Sequence, residues 1–232
     1  MNWLIVVAGG SGNRMGLSIN KIFIKIYRKP ILYWTLLPFQ KSQIIDKIII
    51  STKPEELKST QKIVKKYHLN KVSGFCFGGP TRQDTVFNAL NFIKNKISSN
   101  DLVGIHNAAN PFVSNEEINS VFLSAKKFKA ALLAKPSPDT IKISDDKNFV
   151  YQTPKRELCF CAQTPQVARF SLLYSSYQKI FSQKLTVTDD SQVLEINHIN
   201  PKIIPCSNEN IKITYPQDII LAKQILKVKY NL

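Results

Sequence analysis

The opening of this chain constrains its fold more than any other stretch: the apolar run Asn2-Trp-Leu-Ile-Val-Val-Ala8 passes directly into Gly9-Gly-Ser-Gly-Asn-Arg-Met-Gly16, with Lys21 five residues beyond. A run without a polar face fits a strand buried on both sides, as in a parallel sheet covered by helices. Glycines directly after such a strand can cradle a phosphate, because the missing Cβ lets the backbone approach an anion and turn consecutive N–H groups toward it. Arg14 and Lys21 add positive charge. A glycine-rich turn alone is equally compatible with an α/β protein that binds no phosphate, so the remainder of the chain decides.

Short β-branched runs at 4–8, 47–51, 72–77 and 102–106 alternate with segments of near-3.6 periodicity at 31–39, 54–68, 82–97 and 115–128. Strand and helix in alternation predict a Rossmann-like α/β fold with a mostly parallel sheet and helices on both faces. From residue 130 the pattern changes. A further apolar run at 130–134 is followed by 139–144, the turn Asp145-Asp146-Lys147-Asn148 and 149–153, which read as a β-hairpin. Its strands carry charge and alternate only partly, so it is expected to project as an inserted β-arm, at about 137–157, that pairs with a second copy. Helices near 170–181 and 189–196, a strand at 202–205 and a last helix from 216 to about 229 complete the chain. No Gly- or Ser-rich linker divides it, so residues 1–232 read as a single domain.

The 232 residues carry 32 Lys and Arg against 16 Asp and Glu, a formal charge of +16 that favours polyanionic ligands. The basic residues are spread along helices without interleaved aromatics, which argues against dedicated nucleic-acid binding. No stretch approaches the roughly 20 apolar residues of a membrane span. The first apolar run is short and lacks a basic leader, so it reads as a core strand and the chain as cytoplasmic. Cys76, Cys159, Cys161 and Cys206 form no C-x-x-C pair and lie near no histidine at zinc spacing, so reduced thiols are expected.

Ligands of open α/β sheets collect at the carboxyl ends of the strands. Four such places are chemically loaded: the Gly9 to Gly16 loop, Gly78-Gly-Pro-Thr-Arg-Gln-Asp-Thr85, His106-Asn-Ala-Ala-Asn-Pro111 and, late in the chain, Asn210-Ile-Lys-Ile-Thr214. The first is no P-loop, and it is followed by no acid at dinucleotide spacing, which leaves nucleotidyl transfer. Together with Ala162-Gln-Thr-Pro-Gln166 and Thr188-Asp-Asp190, these motifs, in this order, resemble the 2-C-methyl-D-erythritol 4-phosphate cytidylyltransferases over nearly the whole chain. The ribitol 5-phosphate cytidylyltransferases share most of them.

The resemblance implies a site. Arg14 and Lys21 would grip the CTP phosphates, and Ala8, Gly9, Gly10, Ser11, Gly12 and Ala108 would line the nucleotide. Gly78, Gly79, Arg82, Asp84 and Thr85 would frame cytosine and ribose. Thr164, Thr188 and Lys212 would face the sugar phosphate and the reacting α-phosphate, and Arg156 on the arm would reach into the partner subunit's site of a homodimer. Mg²⁺ is the implied cofactor. The acceptor phosphate is already ionised, so no general base is needed, and His68, His106 and His198 read as structural. Where the family carries H-D-A-A-R-P, this chain has Asn107 and Asn110, amides in place of the acid that organises metal and acceptor and of the arginine that contacts the acceptor. Asn107 thereby becomes the candidate metal ligand. Pro80 and Asn20 depart from the family pattern as well. The alternatives are another polyol phosphate as acceptor, ribitol 5-phosphate first, and a catalytically impaired nucleotide- or polyanion-binding protein.

Overall fold

The computed structural model describes residues 1–10 and 19–232. In chain order it contains β1 (Asn2–Val7), the small hairpin β2 (Lys25–Ile26) and β3 (Lys29–Pro30), α1 (Ile31–Lys41), β4 (Lys47–Thr52), α2 (Leu57–Lys66), β5 (Val72–Phe77) and α3 (Arg82–Ile93). There follow β6 (Leu102–Asn107), α4 (Asn115–Phe128), β7 (Ala130–Pro136), β8 (Ile143–Ser144), β9 (Val150–Gln152), β10 (Phe160–Arg169), α5 (Phe170–Ser182), α6 (Asp190–Ile196), β11 (Lys202–Pro205) and α7 (Gln217–Tyr230).

Among the described residues the main sheet has seven strands in the order β11-β7-β10-β6-β1-β4-β5. β1 pairs in parallel with both β4 and β6, and only β10 runs against its neighbours. The expected mostly parallel α/β sheet is therefore present. β1 feeds both cores: Leu4, Val6 and Ala8 pack on one face with α1 and α4, and Trp3 and Ile5 on the other with α3 and α5. A third cluster joins Trp34, Phe112 and Ile213 to Ala222 and Leu226 of α7. Capping boxes start two helices, Thr81 with Asp84 for α3 and Ser114 with Glu117 for α4, each cap satisfying backbone donors worth about 1 kcal/mol.

The structure corrects several expected boundaries. The helix expected at 82–97 ends at Ile93; beyond it the chain turns toward β6, where Asp101 accepts from the Ser98 N–H and pairs with the Met1 amine at 2.6 Å. The helix expected at 54–68 divides into a 3-10 turn, Pro54–Glu56, and α2, and His68 lies beyond its end in a left-handed conformation at φ 50°. β10 was not expected as a strand. The hairpin at 139–153 is shorter than expected, with β8 and β9 pairing only with each other. It leaves Phe149 and Tyr151 70% and 77% exposed. No helix among the described residues is long and apolar enough to cross a membrane.

At Gly104 in β6 the sheet and α4 approach closely, since a Cβ there would lie 2.8 Å from Phe122 Cζ of α4 and 3.4 Å from Leu4 Cδ1. Gly104→Ala is expected to cost about 1–3 kcal/mol through overpacking, read as a lowered urea midpoint at an unchanged m-value.

Candidate active site

β1, β4, β5 and β6 all point the same way, so their carboxyl ends reach one edge of the sheet. Three backbone bonds extend the ladders past the strands: Ala8 N–H to Ser51 O at 2.7 Å, Gly78 N–H to Thr52 O at 3.0 Å and Ala108 N–H to Val7 O at 3.0 Å. The four following loops enclose a cavity of about 790 Å³. Ala8, Gly9 and Gly10 line it after β1, Lys53 and Glu55 after β4, Gly78 to Arg82 after β5, and Asn107 to Ala109 after β6. Lys21 and Lys212 enter from elsewhere in the chain. The edge lies where the strand order reverses around β1, the usual ligand crevice of such sheets.

The glycine wall after β5 is dictated by close approach. A Cβ on Gly79 would sit 2.3 Å from Asp84 Cβ, while the Gly79 N–H donates to Thr85 Oγ1 at 3.0 Å. Thr85 in turn donates to the Thr81 carbonyl at 2.8 Å, which ties the loop to the first turn of α3. Asp84 does not line the cavity; its carboxylate accepts from the Thr81 N–H and hydroxyl at 3.0 and 2.6 Å as the helix cap.

Charge in the cavity is lopsided. Among the described lining residues Lys21, Lys53, Arg82 and Lys212 are cationic, and Glu55 is the one carboxylate. Arg82 pairs with Asp190 of α6 at 2.5 Å, and the Tyr177 hydroxyl donates to the same carboxylate at 2.6 Å. Burial by itself would lower the Arg82 pKa, but the Asp190 charge outweighs it and holds the guanidinium protonated. Arg82 Nε also faces Asn107 Oδ1 at 3.5 Å.

Behind Asn107 lies a buried polar chain. His106 is fully buried, its Nε2 is 2.9 Å from the Asn110 carbonyl and its Nδ1 is 2.9 Å from Thr164 Oγ1. Nε2 donates to the carbonyl, so Nδ1 accepts from the Thr164 hydroxyl, and that hydroxyl oxygen accepts from the Asn107 N–H at 3.3 Å. Asn210 Nδ2 donates to the Thr164 carbonyl at 3.2 Å, and the Ile213 N–H to the Ala109 carbonyl at 2.8 Å. These bonds carry the segment with Lys212 to the cavity mouth. That segment is irregular, with Ile213 buried and Lys212 exposed.

Of the expected site residues, the structure brings Ala8, Gly9, Gly10, Lys21, Gly78, Gly79, Arg82, Thr85, Asn107, Ala108 and Lys212 together around the cavity. Ser11, Gly12 and Arg14 lie outside the described residues. Asn110, expected at the acceptor, is 1% exposed and turned inward, with Nδ2 toward Gln163 at 3.5 Å. Thr164, 4% exposed, serves the buried chain. Thr188 is exposed outside the lining and bonds to Gln192, and Arg156 is exposed on the arm. Lys53, Glu55 and Thr81 were missed; their position directly after β4 and β5 was the available signal.

Burial holds the His106 pKa down at about 4, against 6.5 ordinarily. Between these values the unfolded chain binds the extra proton, so the stability that neutral His106 contributes is full above pH 6.5 and declines as pH falls toward 4. From pH 7.5 to pH 5 this one group is expected to remove about 2 kcal/mol from the urea unfolding free energy. Imidazole nitrogen shifts should report the neutral, Nε2-protonated ring still at pH 5.5.

Residues 3–228 match the family model described as IspD, 2-C-methyl-D-erythritol 4-phosphate cytidylyltransferase. The enzyme of that name from Clostridium botulinum (strain Loch Maree / Type A3) is 40% identical over 226 residues, covering 97% of either chain. Among solved structures, 4-diphosphocytidyl-2C-methyl-D-erythritol synthase from Anaerococcus prevotii DSM 20548 superposes with TM-score 0.84 at 31% identity, over 97% of this chain and 96% of that one. The Francisella tularensis 2-C-methyl-D-erythritol 4-phosphate cytidylyltransferase does so with TM-score 0.81 at 32% identity, over 97% and 99%. With fold, motifs and cavity in agreement over nearly its whole length, the chain belongs to the 2-C-methyl-D-erythritol 4-phosphate cytidylyltransferase family.

Proposed function

We propose that this protein is a CTP-dependent nucleotidyltransferase that moves a cytidylyl group from CTP to 2-C-methyl-D-erythritol 4-phosphate and releases pyrophosphate, a step of isoprenoid precursor synthesis. Within a chain of this family, the observation that carries the reading is the cavity at the strand ends, where four cationic side chains face one carboxylate among the described lining residues. A triphosphate is the ligand such a lining suits.

An oxygen of the acceptor phosphate attacks the α-phosphorus in line; a new P–O bond forms there, and the α–β bridging bond breaks with its electron pair leaving on pyrophosphate. The nucleophile is ionised at neutral pH, so the protein has to position and neutralise rather than abstract a proton. Lys21 and Arg14 hold the β- and γ-phosphates, and Lys212 meets the charge growing at the α-phosphate. The glycine walls Ala8 to Gly10 and Gly78 to Gly79 lie against the nucleoside. Asp190 keeps the Arg82 guanidinium oriented, and Arg82 with Asn107 fixes the floor between nucleotide and acceptor.

The residues also suit a magnesium ion carried in on the nucleotide. The described residues contain no group of three or more His, Cys, Asp or Glu able to cage a metal, and Asn107 Oδ1 is a neutral oxygen at the cavity wall. That is the donor set of an ion held mainly by phosphates and water. When bound, Mg²⁺ would neutralise the triphosphate, with Asn107 as its protein oxygen.

Arg156 stands on the exposed arm with Phe149, Tyr151 and Leu158. We assign the arm, at about 137–157 of a single domain spanning 1–232, to a homodimer contact that brings Arg156, beside Thr188, to the partner subunit's acceptor. The cysteines are free, which suits the cytoplasm.

Pyrophosphate release from CTP and Mg²⁺, measured over a panel of acceptors, tests the assignment. Methylerythritol phosphate should give the highest kcat/KM; preference for ribitol 5-phosphate would transfer the chemistry to another polyol phosphate, and CTP binding without turnover on any acceptor would leave a binding protein. Lys212→Ala should lower kcat by about 100-fold, the loss typical of one transition-state charge partner, while CTP still binds.

A further inference from the structure

With the cavity taken as the CTP site, as proposed above, we infer that Asn20 is a positioning residue that sets Lys21 by clamping two lips of the cavity together. Lys21 opens a 3-10 turn of three residues, Lys21–Phe23. So short a turn has little hydrogen bonding of its own with which to oppose backbone entropy, and its placement depends on what caps it. Asn20 is that cap. Its Oδ1 accepts from the Ile22 N–H at 3.3 Å, and its backbone carbonyl accepts from the Phe23 N–H at 3.0 Å.

The amide nitrogen reaches the other way. Asn20 Nδ2 donates to the Ala8 carbonyl at the end of β1, at 3.2 Å, and to Glu56 Oε2 at 3.0 Å. Both of its N–H groups are thereby used, and the residue is 7% exposed. It touches the cavity yet has no donor left for a ligand, so it acts on the nucleotide through what it holds. It holds Lys21 against the end of β1 and, through Glu56, against the turn Pro54–Glu56, the segment from which Lys53 and Glu55 enter the cavity lining. One buried amide thus ties the segment that carries Lys21 to the segment that carries Lys53. Misplacement of a positioning charge by about 1 Å can cost around 100-fold in rate, which is the scale on which such a clamp acts.

Asn20→Asp keeps the size and the cap acceptor but removes both donors and sets a carboxylate against Glu56 and the Ala8 carbonyl. A double-mutant cycle with Lys21→Ala separates positioning from bulk stability, because a residue acting through Lys21 loses its effect once Lys21 is gone. The cycle is run on CTP affinity by calorimetry in the presence of Mg²⁺, and on kcat where turnover is measured, with variants checked for folding by urea titration. Asn20→Asp is expected to weaken CTP binding about 10-fold with Lys21 present and less than about 2-fold in Lys21→Ala, the tenfold step being one of about 1.4 kcal/mol. Adding Glu56→Gln to Asn20→Asp, which lets the new Gln donate to the new carboxylate, should recover part of the loss. Equal, additive effects in the two Lys21 backgrounds would overturn the clamp and leave the CTP assignment standing; a wild-type protein that binds no CTP would overturn the assignment and the clamp with it.

Discussion

Everything in this structure hangs on β1 being buried on both faces. A strand whose side chains all need covering must have a sheet neighbour on each edge and helices above and below, and that requirement makes the connections cross over in one sense. β4 and β5 extend the sheet on one side of β1, β6, β10, β7 and β11 on the other, and Leu4 and Ile5 end up in different cores. With β1, β4, β5 and β6 parallel, their carboxyl ends share an edge, so the cavity is a consequence of hydrophobic burial before any ligand is considered. The polar lining then decides what the edge can do.

The excess of cations among the described lining residues is a local feature, distinct from the overall charge. A chain at +16 attracts any polyanion at a distance, but screening leaves little of that beyond about 10 Å at ordinary ionic strength. What distinguishes the cavity is how its cations are tethered. Arg82 is held from behind by Asp190, itself buried and bonded to Tyr177; Lys21 follows a buried cap; Lys212 follows a segment fastened through Asn210 and Ile213. Each charge is tethered at its root, and such tethering limits the reorganisation that a developing negative charge would require.

Much of this was legible in the sequence. Apolar runs located the parallel strands within a residue or two, most plainly β1, β4 and β6, where burial on both faces leaves a contiguous apolar signal. β10 left none. Its residues, Phe160 to Arg169, include two glutamines and a proline and few β-branched side chains; it is a strand because β6 and β7 flank it, with a register shift where Gln163, Thr164 and Pro165 depart from the ladder. The glycine loops announced a cavity through their chemistry, whereas Lys53, one lysine among many, was marked only by its place directly after β4, which puts it in the lining. Asp84 showed the opposite failure: its spacing from Thr81 satisfies a helix cap, and the cap is what it does.

The two amides after β6 illustrate why neighbouring residues in a motif need not share a fate. Asn107 ends a strand with its side chain at the cavity wall, while Asn110, three residues on, is folded under with its carbonyl on His106 and its Oδ1 buried without a hydrogen-bond partner among the described residues. A neutral His106 donates to that carbonyl, which fastens the turn from 107 to 110 to the imidazole. An arginine in the place of Asn110 could not remain in such a pocket without a counter-charge, since a buried unpaired cation costs several kcal/mol, and Asn107 offers none. Two amides keep the turn neutral around a neutral ring. The cations that line the cavity come from outside this loop, Lys212 among them.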